Sequence, residues 1–436
     1  MNKRPRISPV GRVCGAEIMK KLFAVGPDFV LDTSVTFPDL ENFKKFTKVY
    51  KGPFSKQVKF GYKTIVAGRG DEVVIDGKES EARKLVEQAV TFGADFRTGL
   101  GGNGAQEATA LAALGCKVFF IGGYSTEQLL ELPRRDFRLF KKVDLSFADV
   151  SESYKSLSVI LQAPGTNRCI LNDGRGRRIA QLAPYIQKLP DTLQEITKRY
   201  GELDALALVG LHGLFATGVN DQHYRTVKSV LDKARDRTSS MIFTDAGSLA
   251  AFTAVQRRLL FKIYSLFDIL AFNGDELAQI CRAIGISAED KFSSMLKILR
   301  SSKKLSTIWL HEPHYQASIS MKFGVELLKK AQKFAAAAGV YRVEKGSYPT
   351  IGQLNSRAKS KDYSSTGKKM ADYSVRKYGH KINNVELAVT PCYQAKSFVS
   401  SIGAGDTASA AFIFMLASSE QLHKSSKSSG HMALIH

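Results

Sequence analysis

Ser401-Ile402-Gly403-Ala404-Gly405-Asp406-Thr407 runs straight into Ala408-Ser409-Ala410-Ala411-Phe412-Ile413-Phe414-Met415-Leu416-Ala417. The second stretch is rich in alanine and apolar residues and reads as a helix. Two glycines and an acid therefore stand at a helix start. Glycine lets the backbone pass close to a bound phosphate, and the free N–H groups and dipole of a helix N-terminus favour negative charge. Asp406 would stand beside a phosphate held by backbone donors, placed to take a proton from an attacking hydroxyl, which is the layout of a phosphoryl-transfer site. A turn followed by an aspartate that caps a helix satisfies the same residues. The remainder of the chain has to decide between them.

Upstream, several short apolar or β-branched runs end in glycine or a small polar residue, as buried parallel strands do. They are 21–30, 117–121, 206–211, 240–244, 269–272 and 306–310, and helical patterns at 105–114, 191–200, 223–234, 250–266 and 277–284 lie between them. Alternating strand and helix predict an α/β fold around a mostly parallel sheet, with functional residues at the carboxyl ends of its strands. Two polar, turn-rich stretches, 35–97 and 150–180, break the rhythm and read as hairpin-like pieces of a smaller β-rich lid. The organisation expected is an extension and first strand over 1–34, lid at 35–97, large domain at 98–149, lid again at 150–180, and large domain over 181–418. Residues 341–384 carry ten Lys/Arg against three Asp/Glu without apolar periodicity, and read as a solvated basic insertion. The Ser/Lys/His-rich tail, 419–436, reads as disordered.

The 436 residues carry a formal net charge of +22, which admits nucleic acid, a membrane surface or an anionic substrate as partner. No basic stretch has the interleaved aromatics of a single-strand platform, and no apolar run is long enough to span a bilayer. The basic start Met1-Asn2-Lys3-Arg4-Pro5-Arg6 lacks a following apolar region. Cys14, Cys116, Cys169, Cys281 and Cys392 are odd in number and widely spaced, which suits reduced buried thiols without a zinc site. A cytoplasmic protein, monomeric, without nucleic-acid or membrane partners, is expected.

Gly99-Leu100-Gly101-Gly102-Asn103-Gly104 matches a dinucleotide fingerprint in spacing, but the next strand ends in Ile121-Gly122-Gly123-Tyr124 with no acid. Backbone and Asn103 amide contacts to a polyhydroxylated ligand, or simply a loop needing positive φ, fit as well. Asn273-Gly274-Asp275-Glu276 puts two oxygen groups on one side of a first helical turn, where they suit a water-rich Mg²⁺ and equally a capping box. Asp28 and Asp32 offer paired acceptors for sugar hydroxyls. His311 and His212, at strand ends, are candidates to touch nucleotide phosphates, or are structural histidines. Arg168, after Asn167, is a candidate lid cation to neutralise a transferring phosphoryl group, or a surface arginine.

Taken in order, these pieces resemble the ADP-dependent sugar kinases of the ribokinase-like superfamily, most of all the ADP-dependent glucokinases. Gly101-Gly102-Asn103 is similar to that family's sugar loop, Asn167-Arg168 to its lid step, and Val209-Gly210-Leu211-His212 to a strand end. Asn273 to Glu276 is similar to its magnesium motif, and Gly403 to Asp406 to its Gly-x-Gly-Asp. The resemblance implies a three-layer ribokinase-like fold and transfer of the β-phosphoryl of Mg·ADP to the 6-hydroxyl of glucose. It makes Asp406 the base and the backbone of Ile402, Gly403, Ala404 and Gly405 the anion hole, with His311 near the nucleotide. Asp32 and Asn103 would grip the sugar, and Glu81, or its neighbour Glu79, would favour glucose over fructose 6-phosphate. Asp28 departs from the family's asparagine, segment 341–384 has no counterpart, and His311-Glu312-Pro313-His314 only loosely matches a His-Thr strand end. An ADP-dependent phosphofructokinase, an ATP-dependent ribokinase-type sugar kinase and, more distantly, a non-catalytic phosphate- or nucleic-acid-binding protein remain the alternatives.

Overall fold

Six apolar runs become parallel strands of one sheet because they are buried on both faces. They are Leu22–Pro27, Lys117–Phe120, Ala205–Val209, Met241–Asp245, Ile269–Phe272 and Thr307–His311. The computed structural model describes residues 21–432 apart from 69, 76–78, 174, 216–217, 251 and 288–289, so the start of the chain, Cys14 and the residues just before Glu79 lie outside it. Three antiparallel strands, Tyr315–Ser320, Val385–Pro391 and Lys381–Ile382, extend the sheet to nine.

Side chains alternate across the pleat and split the core in two. Phe23, Val25, Ala207, Phe243, Ala271 and Trp309 face the helices Asn103–Ala113, Val325–Lys345 and Ala404–Met432. Ala24, Leu206, Ile242, Leu270, Ile308 and Ile319 face the helices Asp221–Arg237, Ala254–Tyr264, Gly274–Ile284 and Lys291–Arg300 on the other side. The result is a helix–sheet–helix sandwich.

A second sheet of five strands draws on both turn-rich stretches, in the order Asp71–Ile75, Arg168–Asp173, Leu157–Gln162, Val30–Thr36 and Asp95–Gly101. The first stretch is not hairpin-like. It holds the helices Leu40–Val49, Ser55–Val66 and Glu79–Val90, which bury Phe43, Phe46, Val58, Ile65 and Leu85. The run beginning at Lys21 also divides. It leaves the main sheet at Pro27 and enters the small one at Val30.

Segment 341–384 is not a solvated loop. It contains the end of the helix Val325–Lys345, the helices Ile351–Ala358 and Ser365–Tyr378, and the edge strand Lys381–Ile382. Its lysines face outward, while Arg342 and Leu354 are buried and Tyr363 stacks on Tyr393 at 4.9 Å. The last helix continues to Met432, past the point where composition suggests disorder. Among the described residues no helix is long and apolar enough to cross a membrane, and Cys116, Cys281 and Cys392 are free thiols.

Candidate active site

The parallel register brings Pro27 beside Val209, Asp245 beside Ala271, and Phe272 beside Leu310, so one edge of the sheet collects the chain segments that follow these ends. Asp28, Gly210, Asn273 and His311 arrive there because the strands share a direction. Over this edge lies the start of the helix Ala404–Met432, held down by Phe412 stacked on Trp309 at 4.2 Å and by the Ser409 hydroxyl donating to Asp245 Oδ2 at 3.2 Å.

Gly403 adopts φ +71, a conformation that side chains resist, and so turns the chain into the helix. The Ile402 N–H donates to the Ser400 hydroxyl at 3.1 Å and the Ala404 N–H to the Ser401 carbonyl at 3.2 Å, so these two expected anion donors are already engaged. Among the described residues the Gly403 and Gly405 N–H groups meet no carbonyl and can serve an anion. A methyl group at Gly405 would touch nothing within 4 Å, so open space stands before this turn. Asp406 lies in the same turn. Burial first, then the Asp245 and Asp28 carboxylates, push its carboxyl up to about 7, against the pull of Arg168.

Arg168 comes from the small sheet and its Nη1 donates to the Ser401 hydroxyl at 2.9 Å. Burial lowers its pKa while the charges of Asp406, Asp32 and Glu72 oppose that shift. A lid arginine thus stands beside the glycine turn and its acid. The structure also bridges lid and core at a second point, where His212 Nε2 meets Glu72 Oε2 at 3.2 Å. Burial works against the imidazolium, yet Glu72 raises the His212 pKa overall. Asn172 donates to the other Glu72 oxygen.

The strand Asp95–Gly101 belongs to the antiparallel part of the lid sheet, not to a parallel strand–turn–helix unit, which removes the dinucleotide reading. Gly101 lies so close to Asp32 that a methyl there would sit 2.2 Å from the carboxyl, and Gly102 has φ +81 against the Asp28 backbone. Asp32 and the sugar loop are therefore neighbours. Asp28 has a structural duty. Its carboxylate accepts the N–H groups of Asn103 at 3.1 Å and Gly104 at 2.7 Å, the donors at the start of the helix Asn103–Ala113. A full negative charge suits that end of a helix, which accounts for aspartate at this position.

At Asn273 the capping box is present in full. Its side-chain oxygen accepts the N–H groups of Asp275 and Glu276, and Glu276 Oε2 accepts the Asn273 N–H at 2.9 Å. Asn273 is thereby occupied by its own helix. The residues that do converge are Asp245, Glu276 and His311, whose ligand atoms lie within 4.8 Å of one another. His311 does not reach out as a free phosphate ligand, since its Nε2 pairs with Asp245 Oδ2 at 3.2 Å. Although burial works against its charge, Asp245 holds His311 up at about 9, and burial plus Asp245 push Glu276 up to about 7. Burial also works against the Asp245 carboxylate, yet His311 and the Ser409 hydroxyl hold that carboxyl below its ordinary value. An ionised Asp245 beside a Glu276 that resists ionisation gives oxygen donors that fit a divalent cation keeping its own water.

Glu81 and Glu79 lie in the first turn of the lid helix Glu79–Val90; the Glu81 charge acts on the Tyr50 phenol, while Glu79 pairs with Arg83 at 2.6 Å. Sequence reading passed over Asp245, Glu72 and Glu107. Asp245 was visible as the residue ending a parallel strand, whereas Glu72 sits in a polar lid strand with no motif. Glu107 is fully buried in the helix that follows the sugar loop. Among the described residues neither of its carboxylate oxygens has a hydrogen-bond partner, and burial together with Asp406, Asp245 and Asp28 raises its pKa well above the ordinary value.

A parallel sheet with a glycine-turn acid at its strand ends, and a small sheet bringing an arginine over it, defines a kinase of the ribokinase-like class. Residues 62–415 match the ADP-specific phosphofructokinase/glucokinase conserved region, and the chain belongs to that family of ADP-dependent sugar kinases. The fold is similar to that of a hypothetical ADP-dependent phosphofructokinase from Pyrococcus horikoshii OT3, with TM-score 0.68, 15% identity, and 93% of this chain and 99% of that one covered. It is also similar to an ADP-dependent kinase in complex with fructose-6-phosphate and ADPβS, with TM-score 0.68, 16% identity, and 91% and 94% covered. A third such fold is the last common ancestor of ADP-dependent phosphofructokinases from Methanosarcinales, with TM-score 0.65, 16% identity, and the same coverage of 91% and 94%. No curated protein sequence matches the chain.

Proposed function

We propose that this kinase transfers the β-phosphoryl group of ADP to the 6-hydroxyl of glucose, giving glucose 6-phosphate and AMP. The observation that carries the reading is the meeting of Asp406, the Gly403 turn and Arg168 at one point between lid and core. Asp406 takes the proton of the 6-hydroxyl as the new O–P bond forms, and the bridging oxygen leaves with AMP. The Gly403 and Gly405 N–H groups hold the phosphoryl oxygens, and Arg168 offsets their charge. Asp32 and the Asn103 amide orient the sugar. Asp245 and Glu276 would hold Mg²⁺, which when bound neutralises charge on the diphosphate.

Glucose is favoured as acceptor because Asp28, Asp32, Asp245 and Asp406 already crowd the cleft with negative charge, and a sugar that brings only hydroxyls adds none. One observation favours fructose 6-phosphate. Asp136, which accepts the Leu100 N–H at 3.1 Å beside the sugar loop, lies among the exposed Arg134, Arg135 and Arg138, a cationic patch able to meet a sugar phosphate. Turnover measured with ADP or ATP, and with glucose or fructose 6-phosphate, decides. Production of AMP and glucose 6-phosphate is expected. Turnover with fructose 6-phosphate alone would move the acceptor, and ADP as product would move the donor.

A further inference from the structure

Arg342 lies in the segment whose composition suggests a solvated insertion, yet it is 7% exposed. Its Nε donates to the Ile402 carbonyl at 3.0 Å and its Nη1 to the Gly346 carbonyl at 2.8 Å, while the guanidinium lies 4.4 Å from the centre of the Tyr348 ring. A peptide unit is planar and trans, so its C=O and following N–H point in opposite directions. Pinning the Ile402 carbonyl toward Arg342 therefore aims the Gly403 N–H away from Arg342, on the opposite side of that peptide.

The same group reaches the sugar loop. The buried Tyr348 hydroxyl donates to Gln106 Oε1 at 3.5 Å, and Gln106 stands in the first turn of the helix that begins at Asn103. Gln106 Oε1 in turn fills the space beside Gly403, where a methyl group would sit 1.7 Å from it and 3.3 Å from Arg342 Nε. The charges of Asp136, Asp406 and Asp32 all act on the Tyr348 phenol.

We propose that Arg342 is a positioning residue for phosphoryl transfer, fixing the anion-binding turn through Ile402 and tying it to the sugar loop through Tyr348 and Gln106. The inference rests on the kinase reading above. A planar fork that makes two hydrogen bonds and one stacking contact has no substitute in lysine.

The test compares the full-length enzyme with Arg342→Ala, Arg342→Lys and Tyr348→Phe. Loss of an aimed backbone donor lowers kcat by about 10²-fold, so Arg342→Ala is expected to lose kcat on that order while KM for the sugar stays within about threefold. Added guanidinium ion should restore part of kcat in Arg342→Ala, and Arg342→Lys should not. Calorimetry supplies a readout apart from turnover: Arg342→Ala should weaken ADP by about tenfold, equivalent to 1.4 kcal/mol, and leave AMP, which lacks the β-phosphate, unchanged. Tyr348→Phe keeps the stacked ring and should raise KM for the sugar more than it lowers kcat. Wild-type protein that binds ADP no better than AMP and turns over no sugar would end the kinase reading. An active wild type with Arg342→Ala at unchanged kcat, or with ADP and AMP weakened equally, would end this inference alone.

Discussion

Asp406 works as a base only when ionised, and its surroundings set when that happens. Burial and the facing acids push its carboxyl up to about 7, so kcat/KM should fall as pH drops below neutrality and level off above. Asp406→Asn keeps the turn and removes the base, and a lost general base lowers kcat by about 10³-fold. The pH profile and the kcat of this variant are the measurements, and substrate binding should survive. Glu107 carries a second consequence. Its pKa is raised in the fold, so the stability this group contributes is present below its unfolded pKa and is lost as pH rises toward its folded value. Glu107→Gln cannot ionise, and its melting temperature should decline less than the wild type's between pH 5 and 8. Equal slopes in a thermal scan series would place the pH dependence elsewhere.

Among the elements, the parallel strands were legible because burial on both faces forces continuous apolar runs, as in Ile269–Phe272, where the expected bounds match. The antiparallel strand Tyr315–Ser320 was not legible. Its Gln316, Ser318 and Ser320 look solvent-facing in sequence, yet they are buried and paired with Trp309, Gln332 and Thr307 respectively. Arg342 and Arg357 misled for the same reason, since Arg342 spends its charge on the Ile402 and Gly346 carbonyls and Arg357 on the Glu344 carboxylate and the Gln394 carbonyl, partners that sequence does not display. Within the site, the Gly-x-Gly-Asp turn could be read, but the partner of Glu276 could not. Asp245 and Ser409 lie 164 positions apart and meet only because the last helix crosses the strand ends. Residues that orient a metal ligand contribute about 10-fold to 100-fold in metal affinity. Ser409→Ala should therefore raise the Mg²⁺ needed for half-maximal activity by about tenfold, read from a metal titration. Asn273→Ala should act differently, costing about 1 kcal/mol of stability through the lost cap, measured by denaturant unfolding.

Across the whole molecule, two of the polar contacts between lid and core belong to different strands of the small sheet. Arg168 reaches Ser401 beside the chemistry, and Glu72 reaches His212 at a strand end of the main sheet. The second contact titrates. The His212 pKa is raised by Glu72 in spite of burial, so the charged pair exists at low pH and weakens to a neutral hydrogen bond as pH rises through that raised value. A closed lid surrounds both substrates, so weakening the pair should raise both KM values together, whereas a change at the sugar loop would raise one. Glu72→Gln retains a hydrogen bond to His212 without the charge. It should raise KM for ADP and for the sugar by about threefold to tenfold, the range expected when a hydrogen bond loses its charge assistance of roughly 1 kcal/mol. It should also abolish the rise of both KM values with pH that this pair predicts for the wild type. KM profiles for both substrates across pH 6 to 9 make the comparison. A variant whose KM values keep the wild-type pH dependence would show that His212 and Glu72 do not hold the lid.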